Sequence, residues 1–149
     1  MKTYITLLLL LTAHIASSAP FAQPIPTRWL EGARGFEKAL EIQKTNNLPI
    51  LVWATWSDCP NCAKVTAYLN KPKPAKALRD YIRVIIDEHG NSADAALAKL
   101  HHFTGGTFFI IPTSSLTPSD RLWAWEKGGT TTINPDLENI LVSKLAAAK

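Results

Sequence analysis

Trp53-Ala54-Thr55-Trp56-Ser57-Asp58-Cys59-Pro60-Asn61-Cys62-Ala63-Lys64 decides how the chain is read, because it holds both cysteines of the 149-residue sequence. It continues Ile50-Leu51-Val52, a short apolar run rich in β-formers that fits a buried strand over residues 50–54. Beyond Cys62 the residues Val65, Tyr68 and Leu69 recur at offsets of three and four, which is a helical spacing. The C-x-x-C pair therefore stands at a strand-to-helix junction. Pro60 suits the first helical position, where no amide partner is needed, and this puts Cys59 at or just before the helix start.

That place has chemical consequences. A helix N-terminus offers unpaired N–H groups and the positive end of the macrodipole, so a thiolate there is favoured over a thiol. A cysteine so placed has its pKa lowered to between about 3.5 and 7.5, against roughly 8.5 when free. Cys59 is the expected nucleophile, and Cys62, one turn in, the resolving thiol that attacks the mixed disulfide. Three other readings of the pair stay open. As a structural staple, so short a loop removes little chain entropy, worth about 2 kcal/mol. As a zinc site, the pair needs two more ligands, and the adjacent His101 and His102 on a helix point about 100° apart. As an inert pair, the cysteines would simply accompany a fold. The redox pair is the preferred reading.

One domain of ordinary size accounts for the length, and a hydrophobic share of 46% is enough to build its core without staples. The formal charge of +4 is mild. Lys71, Lys73, Lys76 and Arg79 cluster, but with Pro and Ala between them and no stacking aromatics they form a solvated helix face, not a nucleic-acid site. The first residues read as an export signal: Lys2 is the charged n-region, residues 5–11 the apolar core, and Ala16-Ser17-Ser18-Ala19 the small residues for cleavage. Cleavage after Ala19 places Pro20 just past the scissile bond, so Ser18 and Ala22 are the alternatives. The expected division is a signal peptide over 1–18 (its end as late as 22), an extended lead-in over 19–28, and one domain over 29–149. An uncleaved signal would instead anchor the chain in a membrane. Export implies an oxidising periplasmic or extracellular setting, where a reactive dithiol needs a reductant.

Along the mature chain an amphipathic helix is expected over 34–46, with Phe36, Ala39, Leu40 and Ile42 near one stripe. The helix after the cysteines should run to Leu69 and break at Lys71-Pro72-Lys73-Pro74, resuming briefly over 75–81. A strand over 82–86 and a helix over 93–102 follow, the latter with Ala96, Leu97 and Leu100 inward. Gly105-Gly106 ends that helix and an apolar run, Phe108-Phe109-Ile110-Ile111, leads into Pro112. Residues 114–117 and 121–125 flank Pro118-Ser119-Asp120 and are expected to pair as a hairpin, with Trp123 and Trp125 sharing one core-facing side. A helix over 135–147 closes the chain. Helices between the early strands argue for parallel pairing there, and the hairpin adds an antiparallel edge: an α/β fold with a central mixed sheet flanked by helices.

This order, with cysteines just after the first long strand, resembles the thioredoxin superfamily over residues 29–145. The residues that carry the likeness are Trp53-Ala-Thr-Trp, Cys59-Pro-Asn-Cys62-Ala-Lys64, Ile111-Pro112-Thr113, and Gly128-Gly129 before the last helix. The chain looks most like small exported thioredoxin-like proteins and the soluble C-terminal domain of the transmembrane thiol–disulfide interchange reductases. The resemblance implies a thioredoxin fold with an extra N-terminal helix. It also implies that Pro112 is cis and lies against the Cys59–Cys62 pair, leaving the Ile111 backbone free for a substrate strand.

Trp56, Pro60, Asn61, Ile111 and Pro112 are the expected substrate contacts, with Asp58 and Lys64 modulating the thiols. No metal or organic cofactor is implied, since the electrons reside on the sulfurs. The implied partners are exported proteins with cysteines and a membrane thiol–disulfide reductase as electron donor; the chain itself is expected to be a monomer. Two departures stand out. No carboxylate lies on Ile50-Leu51-Val52-Trp53, where thioredoxins carry a buried acid, and Ser57-Asp58 separates Trp56 from Cys59, where the family has no spacer. Asp58 caps the helix or serves as a local base, with capping preferred. Isoleucine before the proline looks like the reducing members, so reduction or shuttling of disulfides is the favoured activity. Disulfide donation or isomerisation, and a non-catalytic binding or metal-carrier module, are the alternatives.

Overall fold

The computed structural model describes residues 22–125 and 132–149. The expected signal peptide and Gly128-Gly129 lie outside them. The centre of the fold is β2 (Ile50–Thr55), whose first five residues are all buried. A strand apolar on both faces needs cover on both sides, and the sheet provides it. Its order is β1-β3-β2-β4-β5. β3 (Ile82–Asp87) runs parallel to β2, and β4 (Thr107–Ile111) runs antiparallel on its other side. β5 (Asp120–Trp123) adds an antiparallel edge, while β1 (Leu30–Glu31) is a two-residue parallel partner of β3.

Period-two alternation along the strands divides the core. Leu51, Trp53, Phe108 and Ile110 face α2 (Pro60–Leu69) and α5 (Leu137–Ala148), in one cluster with Cys59, Cys62, Val65, Leu137 and Leu141. Ile50, Val52, Val84, Ile86, Phe109 and Ile111 face the other way, against Phe36, Ala39 and Ile42 of α1 (Gly32–Asn46) and Ala98 of α4 (Ser92–His101). The chain breaks after Asn70, and Pro72 opens α3 (Pro72–Ala77), where its missing N–H costs nothing. No helix among the described residues is long and apolar enough to cross a membrane.

Three local expectations change. Residues 114–117 form no strand; β4 itself is the partner of β5, and the Ser115 hydroxyl bonds within the intervening loop to Thr117. Trp125 is 3% exposed but Trp123 is 42% exposed. β5 ends at Trp123, so alternation does not carry across to Trp125, which bridges Ile133 instead. On α4 Leu97 packs on the core as expected, but the fully buried positions are Asp94 and Ala98, while Ala96 is exposed and Leu100 is 72% exposed. The Asp94 carboxylate accepts the Ala33 N–H at 2.7 Å, satisfying a free donor in the first turn of α1.

The lead-in is pinned at the end of the sheet away from the cysteines. Gln23 and the Asn46 side chain exchange two hydrogen bonds, of 3.0 and 2.7 Å. Arg83 donates to the carbonyls of Pro26 and Thr27, and its burial lowers the guanidinium pKa.

Candidate functional site

The strand-to-helix connection is a tight turn. Trp56 accepts the Cys59 N–H through its carbonyl at 3.1 Å, so Ser57-Asp58 forms the tip of a four-residue turn. Cys59 then takes the N-cap position in extended geometry, and Pro60 begins the helix. The Cys59 Sγ accepts the Cys62 N–H at 3.0 Å. It is therefore Cys59, not Asp58, that caps α2: Asp58 sits one residue too early and is exposed, as is Lys64. Pro60 is exposed and Asn61 half-buried at the mouth of the helix.

Cys59 and Cys62 form a disulfide with Cα atoms 5.2 Å apart. Cys59 is 8% exposed and Cys62 1%, so Cys59 is the cysteine nearer the surface. Once the bond opens, the Cys62 N–H already aimed at Sγ and the positive end of α2 favour negative charge on Cys59. A cleft of about 410 Å³ opens beside it, lined by Trp56, Cys59, Thr66, Asn70 and Asp87 among others.

Beneath the disulfide the acid that thioredoxins carry has no counterpart on β2. The Trp53 indole donates to the Thr66 hydroxyl at 3.0 Å, which donates to the Cys62 carbonyl at 3.0 Å. Trp53 stacks on Phe108 with centroids 4.5 Å apart. The acidic residue that lines the cleft is instead Asp87, at the end of β3, whose carboxylate accepts the His89 N–H at 3.0 Å.

Ile111 and Pro112 are not at this site, and no peptide bond among the described residues is cis. Ile111 pairs with Ile50 at the start of β2, whereas the cysteines follow its end, where Ala54 pairs with Thr107. At a strand rise of about 3.3 Å per residue, Pro112 lies roughly 15 Å from that end. It sits instead by α1, its carbonyl accepting from Gln43 at 3.1 Å. The segment that does turn into β4 at the cysteine end is Gly105-Gly106. Gly106 has φ +78, a conformation closed to proline, whose ring fixes φ near −65°.

Glu88, His89, Gly105, Gly106 and Trp125 also belong to this end, and the sequence reading gave none of them a place at the site. Glu88 accepts the Gly105 N–H at 2.8 Å and lies 3.7 Å from the His89 imidazole. The Trp56 ring covers Gly105 so closely that a Cβ there would overlap it, and a Cβ on Gly106 would stand 2.9 Å from Trp125 Nε1. The double glycine was the available signal: two aromatic rings lie where side chains would otherwise be. His101 and His102 end α4 on the opposite face of the sheet, where the His101 ring packs on Phe36 and Phe103. Burial, and His102 beside it, lower the His101 pKa.

The fold is the thioredoxin fold. Spinach chloroplast thioredoxin f superposes with a TM-score of 0.59 at 18% identity, over 85% of this chain and 97% of that one. The oxidised C-terminal domain of Neisseria meningitidis DsbD gives 0.54 at 14% identity, over 82% and 100%. A disulphide isomerase from Xylella fastidiosa gives 0.58 at 14% identity, over 74% and 87%. No protein-family model matches the chain, and no curated protein sequence does either. The protein is thus a thioredoxin-fold chain with a C-x-x-C disulfide at the N-terminus of its second helix.

Proposed function

We propose that the protein is an exported thiol–disulfide oxidoreductase that reduces or shuttles disulfides on other exported proteins. The observation that carries this is the asymmetry of the pair: Cys59 caps α2 at the edge of an open cleft, and Cys62 lies buried one turn behind it. In the reduced protein the Cys59 thiolate attacks a substrate disulfide, forming a mixed disulfide and expelling one substrate thiolate. Cys62 then loses its proton and attacks Cys59 Sγ, re-forming the intramolecular bond and releasing the second substrate thiolate. Two electrons pass from the protein's sulfurs to the substrate's, and solvent supplies the protons that the released thiolates take up.

The reducing direction rests on the sequence likeness to the interchange reductases. Isoleucine before Pro112 no longer supports it, because that residue stands at the other end of the sheet. A membrane reductase would return electrons to Cys59–Cys62, and no organic cofactor is required. Export rests on the N-terminal sequence, and the lead-in bound at Asn46 would let a leader or anchor depart from the end opposite the disulfide. Insulin reduction with a dithiol donor tests the activity: the wild type should turn over, and Cys59→Ser should not. Equal rates for the two would remove the proposal. Titration against glutathione sets the direction, with a potential near −270 mV, as for thioredoxin, supporting reduction and one near −120 mV supporting disulfide donation.

A further inference from the structure

We infer that substrates are held by side-chain packing on Trp56 and Trp123, and not by backbone pairing where the chain turns into β4. The inference rests on the thiol–disulfide reading above. A substrate strand that adds to a sheet exchanges both N–H and C=O with one residue of its partner. At this turn neither Gly105 nor Gly106 has both groups free. The Gly105 N–H donates to the Glu88 carboxylate at 2.8 Å, a charge-assisted bond that a neutral peptide carbonyl does not replace on equal terms. The Gly106 N–H donates to Ala54 O at 2.9 Å, and the Gly106 carbonyl accepts the Ala124 N–H at 3.1 Å. The Trp56 ring also lies over Gly105.

What the rim presents instead is aromatic. Trp56 is half-buried and lines the cleft with Cys59. Trp123, 42% exposed on the edge strand, has its Cη2 3.6 Å from where a Gly106 Cβ would stand, and buried Trp125 supports the same glycine from beneath. Trp56 and Trp123 thus flank two consecutive glycines, Trp56 on the cleft that Cys59 lines and Trp123 on a neighbouring one with Leu122 and Trp125. Large apolar rings left in water at a concave rim are the residues that anchor partners. The substrate class is a cystine flanked by an apolar or aromatic side chain, in a segment that owes the enzyme no backbone hydrogen bonds.

The test uses the reduced full-length protein and four disulfide-linked peptides, with Phe or Ser beside the cysteine and the flanking amides either free or N-methylated. Rate constants for exchange should favour Phe over Ser by roughly tenfold, as for one well-packed apolar side chain. N-methylation should change them by less than about twofold, since it removes only a backbone donor. Trp123→Ala should collapse the Phe-to-Ser ratio toward one, and Trp123→Phe should restore most of it. A tenfold loss on N-methylation with the wild type, or a Phe-to-Ser ratio unmoved by Trp123→Ala, would overturn the inference. Oxidised glutathione separates the two levels: a protein inert toward it and toward every peptide fails as an oxidoreductase, whereas one active on it with no preference among peptides fails only here.

Discussion

Gly105→Ala is the sharpest probe of how this site is built. A Cβ at position 105 would overlap the ring of Trp56, whereas its next neighbour, Glu88 Oε1, would stand 3.1 Å away. The glutamate can yield by a few tenths of an ångström, but the indole cannot stay. It must swing off the Gly105–Gly106 turn and lose the cover it gives there. Overpacking of this kind costs about 1–3 kcal/mol. Near 130 folded residues each kcal/mol lowers Tm by about 4 °C, so a fall of roughly 4–12 °C is expected. The ring is the cause, so its removal should relieve the cost: in the Trp56→Ala background Gly105→Ala should be nearly neutral. A double-mutant cycle by urea denaturation should give a coupling of at least about 1 kcal/mol. Tryptophan emission should shift to the red in the single glycine variant as the ring enters water. A Gly105→Ala protein as stable as the wild type, or a coupling near zero, would refute the close packing of Trp56 on this turn.

Other expectations follow from the same contacts. Pro112→Thr should leave exchange kinetics with glutathione disulfide unchanged, because Pro112 lies at the α1 end of the sheet; a tenfold slowing in stopped-flow would put the turn into β4 elsewhere. Asp94→Ala strips the acceptor from the Ala33 N–H and should cost about 1.5–3 kcal/mol in urea denaturation, with Asp94→Asn costing less. His101 is held below the ordinary imidazole pKa by burial and by His102, so the unfolded chain takes up its proton first. Stability should therefore fall as pH drops below about 6.5 and level off once the folded value is passed. His101→Gln should flatten that part of the Tm–pH curve, and an unchanged curve would show that the ring titrates normally.

Much of the fold could be read locally. The long helices and the two central strands lie within a few residues of their expected bounds, because periodicity, proline position and capping chemistry act over a handful of neighbours. Pro60 at the first helical position and the helical spacing of Val65 and Leu69 placed Cys59 at the mouth of α2, and the structure has it capping that helix. The likeness to thioredoxins failed at one decisive point. Ile111-Pro112-Thr113 carries the motif, yet it closes β4 where the motif should open it.

The identity of the elements, the nature of the cysteine junction and the absence of an acid on the central strand were properties of the sequence itself, since each depends on residues close in the chain. Which residues face the disulfide was settled only by tertiary structure. β4 could open on either side of its apolar run, and a shift of a few residues decides whether glycine or proline meets the cysteines. The pairing of Thr107 with Ala54, with Phe108 stacked on Trp53 and Trp56 laid over Gly105, fixes that register. These contacts join residues some fifty positions apart, and no local pattern of apolar or turn-forming residues encodes them.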